Sequence, residues 1–115
     1  PILWHCTAGK DRAGYAAALL LKLLDVPQET IVVDYMLSAK YARPPRKMVM
    51  MLRTFRGAKA VRLIKPMYGV SREWILSTFH TIEEHWGSFE AYTHDALGLT
   101  AADILQLREL YTEEI

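Results

Sequence analysis

The segment Ala13 to Leu24 (AGYAAALLLKLL) is apolar around nearly its whole circumference, with Lys22 as its one charge. A helix without a polar face has to be surrounded by other elements, so this segment predicts a central helix buried on all sides. It is too short, and too clearly interrupted by Lys22, to cross a bilayer, which takes about 20 apolar residues. The rest of the chain must supply its cover. With 51% hydrophobic and 23% charged residues among 115, there is enough apolar material to do so, and intrinsic disorder is excluded. Residues 1–115 read as a single domain. One cysteine, Cys6, rules out an internal disulfide or a cysteine-based zinc site.

Upstream of that helix, Ile2 to Trp4 reads as a short buried strand. Downstream, Asp25-Val26-Pro27 ends the helix, and Pro27 suits the first turn of the next one, which runs to about Tyr41. In that helix Ile31, Tyr35 and Met36 share a face. Pro44-Pro45 interrupts again, and a Met-rich basic helix follows from about Arg46 to Phe55, ending near Gly57. Ala58 to Met67 is ambiguous; Pro66 argues against a helix running through it. Ser71 is an N-cap candidate for a helix carrying Ile75, Phe79, Ile82 and Trp86, with Gly87 as its stop. Ser88 to Leu97 predicts a short helix closed by Gly98. Thr100 to Asp103 has the spacing of a capping box ahead of Ile104, Leu107, Leu110 and Tyr111. One strand cannot make a sheet by itself. Together with the immediate start on Pro1-Ile2-Leu3-Trp4, this gives the expectation that the chain is part of a longer protein.

The net charge of +1 conceals three blocks. Residues 1–39 carry three basic and four acidic side chains; residues 40–65 carry nine basic and none acidic; residues 66–115 carry two basic and nine acidic. The middle block raises the local concentration of anionic partners such as phosphorylated or phospholipid substrates. The alternative is internal pairing with the acidic C-terminal third. No nucleic-acid reading module accompanies the charges, so a nucleic-acid partner is not expected.

The chemistry concentrates in His5-Cys6-Thr7-Ala8-Gly9-Lys10-Asp11-Arg12-Ala13-Gly14. This stretch lies between an apolar segment and a helix start, where backbone N–H groups and the helix dipole favour an anion. Gly9 permits a close approach of the backbone. Arg12 can hold two phosphate oxygens in a fork. Cys6, facing the same field, would be stabilised as a thiolate and could attack phosphorus.

A cysteine, five residues and an arginine opening a helix resemble the signature loop of the cysteine-dependent protein tyrosine phosphatases. HCTAGKDRAG is similar in particular to their bacterial and fungal branch, whose loop reads HCxAGKDR followed by Thr or Ser and Gly. Val33 to Ser38 and Gly87 to Tyr92 also resemble segments of that branch. The resemblance implies an α/β fold with a central sheet flanked by helices, to which this chain would contribute about one strand and mostly helices as the C-terminal half of the domain. It implies hydrolysis of phosphotyrosine through a cysteinyl-phosphate, with phosphoserine/threonine and phosphoinositides as further substrates, and no metal or organic cofactor. Cys6 would be the nucleophile, and Arg12 with the amides of Thr7, Ala8, Gly9, Lys10 and Asp11 would bind the phosphoryl group. Asp11 would be the general acid, His5 would order the loop, and Lys10 would add a cation for multiply charged substrates. Ala13 departs from the pattern: the usual hydroxyl hydrogen-bonds the sulfur, and its loss is expected to slow hydrolysis of the intermediate more than its formation. The compartment stays open between the cytoplasm and that of a secreted effector.

Two other functions compete. One is a catalytically impaired phosphate-binding module of the same fold, motivated by Ala13. The other is a rhodanese-like sulfurtransferase, whose cysteine loop usually lacks the His-Cys…Gly-Lys-Asp-Arg run. His80, His85 and His94 have no metal-site spacing. Met48, Met50 and Met51 read as core or lid packing, and Trp74 and Trp86 as core.

Overall fold

A computed structural model describes residues 1–113. Six helices follow one another: α1 (Arg12–Leu23), α2 (Gln28–Tyr41), α3 (Arg46–Tyr68), α4 (Arg72–Trp86), α5 (Phe89–Asp95) and α6 (Ala101–Tyr111). The expected α/β architecture is not found: among the described residues there is no strand and no sheet. Ile2 to Trp4 is irregular, with Ile2 75% and Leu3 91% exposed. The physical reason is that a strand exists only by pairing its backbone groups, and no second extended segment lies beside this one.

The core forms where α1, α2 and α4 meet. Ala18, Ile31, Val32, Tyr35, Ile75, Phe79 and Ile82 make one buried cluster, with Leu19, Met36, Phe89 and Tyr92 packed around it. Gly14 permits the close crossing of α1 and α2, because a Cβ there would lie 3.2 Å from the Tyr35 ring. The α1 helix is less enclosed than its composition suggests. Only Ala18 and Leu23 are buried, since its cover comes from α2 on one side and α6 on another. Arg108 of α6 donates from Nε to the carbonyl of Leu23 at 2.9 Å, and the Tyr15 and Tyr92 hydroxyls hydrogen-bond to each other, tying α1 to α5.

The caps follow local chemistry. Ser71 accepts from the Glu73 N–H at 3.3 Å and Ser88 from the Ala91 N–H at 3.0 Å. Thr100 and Asp103 form the reciprocal capping box. Pro27 sits one residue earlier than expected, as the N-cap of α2.

The α3 region corrects another expectation. Helical conformation continues through Pro66, interrupted only at Gly57 (φ 78°, ψ 176°). Pro66 is tolerated because it lies in the last turn, where it removes a single bond, and the Arg62 carbonyl it leaves belongs to an exposed residue. Gly57 turns the chain back on itself. The Tyr68 hydroxyl reaches the Met48 sulfur at 3.8 Å, whereas twenty residues of continuous helix would separate them by about 30 Å. The result is a helical hairpin that buries no residue and stands away from the core. Met50 and Met51 are therefore exposed rather than core, and Trp74 and Trp86 are only partly covered.

Among the described residues, no helix is long and apolar enough to cross a membrane, and no group of three or more His, Cys, Asp or Glu side chains could hold a metal ion.

Candidate active site

Residues 5–12 curl ahead of α1, so that the loop ends on the helix's unpaired N–H groups. Cys6 is half-buried at its centre. The Gly9 N–H donates to Cys6 Sγ at 3.2 Å, and Gly9 makes the required turn with φ at 71°, a conformation that side chains disfavour. The Cys6 thiol is held below its ordinary value. The backbone N–H of Ala13 is the main cause, opposed by partial burial and assisted by the N–H groups of Gly9 and Ala8 and by the Arg12 charge. The sulfur therefore sits in a ring of donors from the loop and the first turn of α1, the environment that favours a thiolate.

Arg12 donates from Nη2 to Thr7 Oγ1 at 3.3 Å, which closes the loop across its own span. Trp4 Nε1 donates to the Ala13 carbonyl at 3.3 Å and holds the entering chain against α1. These bonds brace the loop, while the His5 ring beside it is exposed.

Lys10 is the buried member of the loop, 3% exposed. Its ammonium donates to both Asp11 carboxylate oxygens at 2.9 Å and lies 5.9 Å from the centre of the Trp74 ring. Its charge is thus directed inward, to an ion pair and an aromatic face, and Asp11 is the partner left open to solvent. Asp11 also lies close enough to Tyr35 for its charge to raise the phenol's pKa, although burial is the larger cause. Thr7, Ala8 and Gly9 are exposed on the open side. Beside them, Ala8 and Gly9 join Asp34, Leu37, Ser38 and Tyr41 around a shallow depression of about 420 Å³. A larger cleft, about 790 Å³ between α1, α5 and α6, contains none of the loop residues.

The loop thus gathers Cys6, Arg12 and their backbone donors at one place, with the Lys10–Asp11 pair on its flank. Two participants are not evident from the loop sequence. Trp74 comes from α4, 64 positions beyond Lys10, and nothing local announces the contact. The Ala13 N–H follows from the helix start rather than from the loop, because every helix leaves its first amides unpaired.

A profile described as the tyrosine phosphatase family matches residues 1–113. A Cupriavidus necator protein named as a tyrosine-protein phosphatase is 34% identical over 110 residues, covering 96% of this chain and 39% of its own length. The triple specificity protein phosphatase PtpB of Mycobacterium tuberculosis is 32% identical over 118 residues, covering 94% of this chain and 42% of its own. A tyrosine-protein phosphatase of Nostoc commune is 58% identical over a shorter stretch of 40 residues, 35% of this chain and 14% of its own length. The chain thus spans about two fifths of the first two relatives. From the N-terminal loop to the last helix, it belongs to the tyrosine phosphatase family.

Proposed function

We propose that this chain carries the catalytic loop of a phosphatase that hydrolyses phosphotyrosine through a cysteinyl-phosphate. The observation that carries the reading is the ring of N–H donors and the Arg12 charge that lower the Cys6 pKa. In the first step the Cys6 thiolate attacks phosphorus, the bond from phosphorus to the tyrosyl oxygen breaks, and that oxygen takes the Asp11 proton. In the second, water attacks phosphorus, the P–S bond breaks, Asp11 takes a proton from the water, and the thiolate is restored. Arg12 and the amides of Thr7 to Arg12 bind the phosphoryl oxygens as charge shifts between them. Lys10 donates to both Asp11 oxygens in this structure, so this ion pair has to open before Asp11 carries the proton it gives to the leaving oxygen. His5 orders the approach to Cys6, and no cofactor is required.

The mycobacterial relative is named a triple specificity protein phosphatase, which supports a substrate range beyond phosphotyrosine; the further classes we propose are phosphoserine/threonine and phosphoinositides. We read the chain as the C-terminal half of a larger catalytic domain. The share of the relatives it spans supports its being part of a larger domain, as do the open apolar side chains Ile2, Leu3, Val33 and Leu37.

Phosphate release from a phosphotyrosine peptide by the full-length protein tests the proposal. Cys6→Ser should reduce it by roughly three orders of magnitude or more. Asp11→Asn should slow an alkyl phosphate, whose leaving oxygen needs the proton, more than an activated aryl phosphate. Tight phosphopeptide binding by the unaltered protein with no release would instead establish the non-catalytic module that Ala13 suggests.

A further inference from the structure

We infer that Trp74 is a positioning residue for the general acid: its ring holds the Lys10 ammonium while Asp11 carries the proton. The inference rests on the phosphatase reading above, with Asp11 as its acid. An acid must be neutral before it can donate. In this structure the Asp11 carboxylate is engaged by Lys10 Nζ, which donates to both of its oxygens at 2.9 Å. The proton for Asp11 comes from solvent, to which its side chain is open. The obstacle lies with Lys10. Its side chain is 4% exposed, and among the described residues its ammonium bonds to no acceptor other than Asp11. Once Asp11 is neutral, that cation is buried without a counter-charge, which is strongly unfavourable unless another group takes the carboxylate's place.

The group in position is the Trp74 ring, whose centre lies 5.9 Å from the ammonium. That is the outer limit of a cation–π contact, about 6 Å. While Asp11 is ionised, the carboxylate is therefore the stronger partner and the ring a weak one. When Asp11 takes its proton, the ammonium is released to settle toward the ring, and the attraction grows as the desolvated cation nears the aromatic face. The ring thus stabilises the open pair more than the closed one. A residue that merely packed against Lys10 would favour both alike and leave the proton on Asp11 no easier to place. The fold sets where the ring stands. Trp74 lies in the first turn of α4, next to Ile75, which is buried in the core. Trp74 acts on the acid through Lys10 and makes no contact with the reacting atoms.

The experiment measures kcat/KM of the full-length protein for an activated aryl phosphate and for an alkyl phosphate, whose leaving oxygen needs the proton. Trp74→Leu should raise the aryl-to-alkyl ratio by roughly three- to tenfold. Trp74→Phe keeps an aromatic face and should raise it less. In a Lys10→Met background there is no cation to hold, so Trp74→Leu should leave the ratio where Lys10→Met alone puts it. A ratio unmoved by Trp74→Leu overturns the inference. So does an equal rise with and without Lys10, or a Phe variant as impaired as the Leu one, since either would reduce Trp74 to packing. Asp11→Asn, run alongside, separates the inference from the reading beneath it. If Asp11→Asn raises the ratio and Trp74→Leu does not, the inference alone falls. If Asp11→Asn slows both substrates alike, the acid assignment falls and the inference with it.

Discussion

At the scale of single residues, the most consequential position is Ala13. Sulfur stabilisation in this loop comes from main-chain donors and the Arg12 charge: the Ala13 N–H is first among the causes that lower the Cys6 pKa, followed by the N–H groups of Gly9 and Ala8, and no side-chain hydroxyl contributes from position 13. A fixed backbone donor stabilises the charge that returns to sulfur as it leaves, and a side-chain hydroxyl at this position would add to it. Ala13→Thr adds a second donor at the same place. In a burst experiment on a chromogenic phosphate it should leave the burst amplitude intact and raise the following steady-state rate on the order of tenfold, the effect of about one hydrogen bond to a charged group. An unchanged steady-state rate would show that the missing hydroxyl does not limit turnover. Most of this loop is legible in the sequence because its parts are contiguous: Gly9, Arg12 and the α1 amides act on Cys6 from within seven residues. Lys10 is the exception: it is buried with its ammonium 5.9 Å from the Trp74 ring, and no spacing within the loop reveals a contact on another helix.

Among the elements, α3 shows where local rules hold and where they mislead. The caps Ser71 and Thr100 are legible because a cap is a bond between residues two or three apart. Gly57 is legible as an interruption, but not as the bend of a hairpin, because the sequence does not say that the second arm is helical. Pro66 points the other way, and it does so wrongly because a proline in a final turn removes only one bond. The bend itself depends on a backbone conformation with positive φ and extended ψ, which only glycine adopts without strain. No atom lies within 4 Å of where a Cβ would sit, so Gly57→Ala isolates the backbone cost from packing. That cost is about 1–3 kcal/mol, enough to compete with a seam in which no residue is fully buried. The variant should open the hairpin toward a continuous helix. A distance probe between positions 48 and 68 would lengthen toward about 30 Å, and a distance that stays short would mean that the seam alone maintains the bend.

For the whole molecule, a fold assembled from α1, α2 and α4 needs links between distant parts of the chain, and few of these are readable in advance. Ile2 to Trp4 has strand-like composition, but composition does not supply the neighbour that makes a strand, so sheet class could not be deduced from those residues alone. The Tyr15–Tyr92 pair is such a link, joining positions 77 apart. It also gives the molecule an alkaline limit. The Tyr15 phenol is pushed up to about 12, first by burial and then by its hydrogen bond to Tyr92. A phenol whose folded pKa exceeds its unfolded value near 10 favours the folded state fully below that value. Its contribution falls as pH rises above 10 and is lost as pH passes about 12, where the folded group also ionises. Tyr15→Phe removes that titration while keeping the ring between α1 and α5. The difference in melting temperature between the unaltered protein and Tyr15→Phe should therefore be constant below pH 10 and shift against the unaltered protein between pH 10 and 12. Parallel profiles through that interval would place the alkaline weakening on other tyrosines and reduce the α1–α5 link to packing.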